Sequence, residues 1–275
     1  MPARSSDTER FSLLVDALRP WLGKVVFIGG WAHRLYRERP EAVAPPYDAL
    51  RTEDADIALT PGTIARTEDL RGRLIAWGFF EEMSGDDQPP VTHYSLEREE
   101  LGFYAEFLTP LQGSERRRDG SRNVTERIGG IVAQKLRHLD VLLIAPWATT
   151  VSRDNGFAVP EAAVVLVPNP VSFIVQKLLI HSRRKHDDRS KDVLYIHDTI
   201  ELFGDALNQL NEIWCVSVAP QLRPSLKRKV AARVTDLFHT TTDTVRGASL
   251  MAAYRGLTPA SIRELCGLGL TRLFR

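Results

Sequence analysis

The apolar positions repeat first with mixed helical and strand periods and later with a helical period alone, which divides the chain in two. Phe11 to Leu22 places Leu13, Leu14, Ala17, Leu18 and Leu22 on one side and predicts an amphipathic helix. Lys24 to Ile28 reads as a short buried strand that runs straight into Gly29-Gly30. Trp31 to Arg39 predicts a helix stopped before Pro40, and Glu41 to Leu50, with Pro45 and Pro46, a loop. Asp54 to Leu59 predicts a strand, Arg66 to Trp77 a helix ending near Gly78, and Val91 to Leu96 and Gly102 to Leu108 two further strands. Gln112 to Arg122 has no period and predicts a loop, while Val132 to Leu143 has helical spacing. Ala162 to Val167 is an apolar run of strand length, closed by Pro168-Asn169-Pro170. Beyond that point Val171 to His181, Lys191 to Phe203, Asp205 to Val216, Pro224 to Phe238 and Ser249 to Tyr254 all favour helix. The expected class is α+β: a mixed sheet with flanking helices over residues 1–168, then a helical C-terminal domain over 169–275.

With 43% hydrophobic residues, 275 residues can bury an ordinary core. No apolar stretch reaches the roughly 18 residues of a membrane span, and Met1 to Arg10 is polar, so the expectation is a cytoplasmic protein with no membrane partner. Cys215 and Cys266 are far apart, which argues against a zinc site or a disulfide framework; both are expected to be buried thiols. The 36 basic and 35 acidic residues nearly cancel, so bulk charge supplies no argument for nucleic-acid binding. The charge is patchy, however. Arg116-Arg117-Arg118 with Arg122, and Arg183-Arg184-Lys185 with Arg189 and Lys191, are clusters able to meet phosphates, or else a solvated loop and a solvated helix end. His181, His186 and His197 are not spaced as a zinc set and read as surface or capping residues, and no Ser-His-Asp arrangement accompanies Ser172 or Ser182.

The chemistry concentrates in the first part. On an extended Asp54 to Leu59, Asp54, Asp56 and Ala58 point one way and Ala55, Ile57 and Leu59 the other, into a core. Two carboxylates on one face repel, and a divalent cation offsets that repulsion; magnesium takes such oxygen ligands while keeping water and phosphates in its shell. Asp-x-Asp alone also occurs at exposed strand ends. Gly29-Gly30 adds context, because their amides, where a strand gives way to a helix, can face an anion. Glu106 adds more, as a lone acid in the apolar run Phe103 to Leu108, where an unpartnered buried carboxylate is costly. His33 and Arg34 follow the glycines and either reach phosphates or cover an exposed helical face.

These residues resemble the nucleotidyltransferases of the DNA polymerase beta superfamily, whose pattern is a Gly-Gly or Gly-Ser turn, then Asp-x-Asp, then an acid on a later strand. The likeness is closest to the bacterial AbiEii-like, GSLRP-type branch, which includes nucleotidyltransferase toxins, and it spans roughly residues 25 to 200. It is carried by Gly29-Gly30, Thr52-x-Asp54-x-Asp56, Glu106-Phe107-Leu108-Thr109-Pro110-Leu111, and Lys177-Leu178 followed by Arg183-Arg184-Lys185 and Lys191-Asp192. The chain departs from the pattern in a longer interval between Gly30 and Asp54, in Trp31 in place of a small residue, and in Ala55 between the aspartates.

The resemblance implies a nucleotidyltransferase-type fold and transfer of an NMP from an NTP to an acceptor hydroxyl, on an RNA 3′ end or a protein, with pyrophosphate leaving. It implies two magnesium ions held by Asp54, Asp56 and Glu106, the last also serving the acceptor hydroxyl. It gives Gly29, Gly30, Lys177 and, more weakly, Arg184 to the triphosphate, and it implies toxin activity with an antitoxin partner. Two other readings stand beside it: a catalytically inactive nucleotidyltransferase-like binding protein, and a glycosyltransferase using Asp-x-Asp, which would not require the glycine turn or Glu106.

Overall fold

Val25-Val26-Phe27-Ile28 is buried along its whole length, as a strand covered on both faces must be, and it lies inside the sheet. The computed structural model describes residues 6–52, 54–60, 62, 64, 69–87, 89–96, 102–116 and 118–275. Arg117 of the first basic cluster and residues 66–68 of the expected third helix lie outside them. The elements are α1 (Asp7–Ala17), β1 (Val25–Ile28), α2 (Gly29–Leu35), β2 (Asp54–Leu59), α3 (Leu70–Ala76), β3 (Phe80–Ser84), β4 (Val91–Ser95), β5 (Tyr104–Pro110), β6 (Thr125–Ile128), β7 (Ile131–Leu136), β8 (Trp147–Val151) and β9 (Ala163–Val167). Helices follow: α4 (Pro170–Ile180), α5 (His186–Leu202), α6 (Leu207–Ile213), α7 (Pro224–Phe238), α8 (Asp243–Met251) and α9 (Pro259–Leu273). The α+β class expected from the sequence is therefore the one observed.

Contacts divide the chain into two compact units, Met1–Glu38 with Leu50–Pro168, and Arg39–Ala49 with Asn169–Arg275. The Pro-containing segment between α2 and β2 thus belongs with the helices.

In the first unit, the strand order is β3-β4-β5-β2-β1-β9-β8. Strand β5 pairs with β4 through residues 104–106 and with β7 through 108–110, and β6 pairs with β7. One face of the sheet is closed by an aromatic cluster. Phe11 of α1 stacks on Trp31 of α2 at 3.9 Å and 9° and meets Phe27 edge-on at 5.1 Å, while Trp31 meets Phe103 at 6.2 Å. Trp31, the residue that departs from the family pattern, is therefore a core side chain with no exposure. Arg73 of α3 donates to the Ala17 carbonyl at 2.6 Å and ties that helix to α1.

The structure corrects several expectations here. Val132 to Leu143 is not a helix: its first part is β7 and its last a 3-10 turn, Asp140–Leu143. The overlooked signal is Gly129-Gly130, with φ of 56° and 84°, the backbone of a two-residue hairpin pairing Ile128 with Ile131. Strands β3, β6 and β8 were not expected, since each has at least one exposed face and gains its ladder only from a partner. Arg34 extends over the Trp31 ring at 4.9 Å, and His33 is buried rather than on an exposed face.

In the second unit, Lys177 of α4 is buried, and its Nζ donates to Asp192 Oδ1 of α5 at 2.7 Å. The rings of Phe173 and Tyr195 stand 5.4 and 4.9 Å from the same ammonium. The final helix, α9, was not expected, although Thr258-Pro259 is a cap followed by proline in the first turn. Cys266 is buried as expected, but Cys215 is exposed. His181 and His197 are buried, not surface groups, because α4 and α5 turn those positions inward. Burial and the nearby Arg233 guanidinium hold His181 down at about 4. Among the described residues, no helix is long and apolar enough to cross a membrane.

Phe11→Ala empties the centre of the aromatic stack and should cost about 3–5 kcal/mol, read as the shift in a urea unfolding curve. His181 binds its proton less tightly folded than unfolded, so its contribution is present above its unfolded pKa near 6.5 and is lost as pH falls toward about 4. His181→Gln should therefore flatten the loss of urea resistance between pH 6.5 and 4 relative to the wild-type chain.

Candidate active site

Strand register, rather than sequence proximity, assembles the acids. Ile28 of β1 stands opposite Asp56 of β2, Asp56 opposite Glu106 of β5, and Glu106 opposite His93 of β4. One pleat away, Asp54 stands opposite Tyr104, and Tyr104 opposite Ser95. Residues in register share a face, so Asp54, Asp56, Glu106, Tyr104 and His93 form one polar, half-buried surface. Ala55, Ile57, Tyr94, Ala105 and Phe107 take the other face and have no exposure.

Each aspartate has its own support. Thr52, itself buried, donates its hydroxyl to Asp54 Oδ1. Gly29 has φ of 62°, in the left-handed region that favours glycine, and a Cβ built there would overlap Asp56 Oδ2. A Cβ on Gly30 would fall 2.6 Å from Thr52 Cβ. The glycine pair is thus the surface against which Asp56 and Thr52 are packed, a role its sequence position did not disclose.

Glu106 is the strained member of the set. Burial raises its pKa, the neighbouring His93 lowers it, and the Asp54 carboxylate raises it again. His93 Nε2 lies 3.4 Å from Glu106 Oε1. Glu106 feels the charge of Asp54, and with Asp56 they offer three hard oxygen donors of the kind that would suit a divalent cation such as magnesium, whose charge would offset the repulsion. The three carboxylates do not draw within 4.8 Å of one another as a single-ion triad does. They are supplied by two neighbouring strands, β2 and β5.

A family model described as Nucleotidyltransferase matches residues 7–216. The chain belongs to the nucleotidyltransferase family. The match takes in the whole carboxylate face and continues past α6, and α7 to α9 lie beyond it. Transfer of a nucleoside monophosphate is the general reaction of such an enzyme. No curated protein matches the chain.

In this nucleotidyltransferase, Lys177 and Arg184 belong to the second unit, where both attend Asp192: Lys177 Nζ at 2.7 Å and Arg184 Nε at 3.4 Å. The basic residues around them also serve the fold, since Arg189 donates to the Arg184 carbonyl at 2.8 Å and Lys229 to the Leu179 carbonyl at 3.0 Å. In the other cluster, Arg122 pairs with Asp87 at 2.8 Å.

The second unit also holds the one set of three metal-type donors, among the described residues, within 4.8 Å of one another: His197, Asp198 and Glu201. Its needs are already met. Arg255 Nη1 reaches Asp198 Oδ1 and Oδ2 at 3.0 and 2.8 Å, and the Tyr47 hydroxyl meets Asp198 at 3.2 Å and also Glu201. A fixed guanidinium supplies the charge that a cation would bring, so this cluster anchors the Arg39–Ala49 segment to α5. The spacing i, i+1, i+4 on α5 was the overlooked signal.

Gly29→Ala should place Asp56 and the new methyl in the same volume and force a left-handed alanine. A stability loss of about 1–2 kcal/mol from the backbone alone is expected in thermal or urea unfolding. Magnesium-dependent nucleotide binding should weaken with it, whereas Gly62→Ala, with open space around its Cβ position, should leave binding unchanged.

Proposed function

We propose that the protein is a metal-dependent nucleotidyltransferase of the AbiEii-like, GSLRP-type branch, moving an NMP from an NTP to an acceptor hydroxyl on an RNA 3′ end or a protein. The observation that carries this reading is the register of Asp56 with Glu106, which puts three carboxylates on one sheet face beside a backbone free of Cβ atoms at Gly29 and Gly30. Asp54, Asp56 and Glu106 would hold two magnesium ions, whose charge offsets that of the triphosphate. The acceptor oxygen forms its bond to the α-phosphorus, the bond to the β-phosphate oxygen breaks, and pyrophosphate departs. Glu106, the carboxylate whose burial favours the protonated form, is placed to receive the acceptor's proton. Gly29 and Gly30 lack the Cβ atoms that would displace Asp56 and Thr52, and their amides, where β1 gives way to α2, would face the triphosphate. For Lys177 and Arg184 the assignment to the triphosphate rests on the resemblance, since Asp192 already engages both. Toxin activity and an antitoxin partner follow from the branch; a cytoplasmic location is expected from an apolar pattern with no stretch of membrane length.

The test is incubation of the purified chain with magnesium, each labelled NTP in turn, and either total RNA or a protein extract. Label should appear on one acceptor class, and Asp56→Ala should reduce it by at least about 10²-fold, the scale of losing a principal electrostatic element of an active site. No label with any NTP, together with no magnesium-dependent nucleotide binding, would leave an inactive binding protein instead.

A further inference from the structure

Glu106 faces two kinds of neighbour. Toward β2 it meets Asp54, which repels it, and toward β4 it meets His93. A carboxylate repelled on one side and free on the other would rotate away from the site, so what holds it decides which oxygen is presented to β2.

His93, on β4, is itself held from the two strands beside it, β3 and β5. Its ring lies nearly parallel to that of Tyr104, with centroids 5.8 Å apart and planes at 19°, which sets the imidazole plane. Tyr104 precedes Glu106 by two residues on the same face of β5, so one strand supplies both the stacking surface and the carboxylate. Ser84 of β3 brings its Oγ to 3.3 Å from Nε2, and Glu106 Oε1 lies 3.4 Å from the same nitrogen. An ionised carboxylate only accepts, so opposite ionised Glu106 the facing nitrogen must carry hydrogen; Ser84 Oγ, able to take either role, then accepts. The geometry therefore selects the imidazole form protonated at Nε2.

We propose that His93 is the positioning residue of Glu106: its Nε2–H holds Oε1 and leaves Oε2 as the oxygen available to a divalent cation shared with Asp54 and Asp56. The assignment rests on the nucleotidyltransferase reading for the cation, but not for the 3.4 Å approach of Nε2 to Oε1. It resembles the way a partner behind a metal ligand fixes that ligand's orientation. Nothing in the family pattern of glycines, Asp-x-Asp and strand acid requires a histidine at this place.

Two measurements on the full-length chain test it. In the metal-free protein at pH 8, histidine 15N spectra, with His93 identified by the signals lost in His93→Gln, should report hydrogen on Nε2, and Glu106→Ala should shift those signals. Hydrogen on Nδ1, or no response to Glu106→Ala, overturns the proposal. In transfer assays, His93→Phe keeps a ring against Tyr104 but has no donor, whereas His93→Gln restores a side-chain N–H. His93→Phe should lower kcat, and weaken Mn2+ binding followed by electron paramagnetic resonance, each by about 10–100-fold, with NTP KM within about twofold. His93→Gln should recover most of both.

An unchanged His93→Phe, or a folded His93→Gln as impaired as His93→Phe, overturns the positioning role, the latter because the ring would then be needed in itself. Should His93→Phe fail to fold, the spectra and His93→Gln decide. Full activity in Asp56→Ala would instead sink the nucleotidyltransferase reading while leaving the spectroscopic result to stand or fall alone.

Discussion

The parallel pairing of β2 with β5 is the constraint on which the candidate site depends. Asp54 and Asp56 come as a pair from one strand because its side chains alternate with a period of two. Glu106 joins them only because the register sets it opposite Asp56; a slip of one residue would turn it into the core and bring Phe107 out. The neighbours resist such a slip. Ile57 and Ala55 on β2, and Ala105 and Phe107 on β5, have no exposure, so moving them to the polar face would forfeit roughly 1.5–3 kcal/mol for each large side chain. Packing on one face therefore enforces chemistry on the other.

The acids crowd one another, and the surrounding residues are arranged to keep them there. Thr52 donates to Asp54, the bare backbone of Gly29 makes room for Asp56, and His93 answers Glu106. Burial above all, with a smaller push from Asp54, still makes Glu106 hold its proton more tightly than a solvated glutamate, against the pull of His93. Fixed oxygen donors gathered on one half-buried sheet face are the chemistry that would suit a hard cation. The His197 cluster is the instructive contrast: its donors lie closer together, yet Arg255 has neutralised it.

The helical unit uses charge differently. Lys177 with Asp192, and Arg255 with Asp198, are buried pairs in which each partner would be costly alone. The first joins α4 to α5, and the second, with Tyr47, joins α5 to the segment that leaves the sheet unit after α2. Such pairs specify which helices meet, and beside them Arg184 and Arg189, read in the sequence as part of a basic cluster, reach Asp192 and the Arg184 carbonyl respectively.

Much of this was legible in the sequence. The apolar run ending in Gly29-Gly30, the alternation of Asp54 to Leu59, the lone acid in Phe103 to Leu108 and the loss of strand signals after Pro168 are local patterns, and local patterns follow from side-chain period and burial. What stayed hidden was non-local. Whether Ile131 to Leu136 is strand or helix was settled by its pairing with β5 and β6, and the burial of His33, His181 and His197 by which faces are covered. The partnership of His93 with Glu106 needed a register across β4 and β5, and that of Lys177 with Asp192 a packing of two helices. By itself the sequence determined the class of fold and the pairing of Asp54 with Asp56 on one strand face, because both are written in the spacing of neighbouring residues. Only the tertiary structure decided which residues hold those acids in place, because a partner's identity depends on chain segments brought together by pairing and packing.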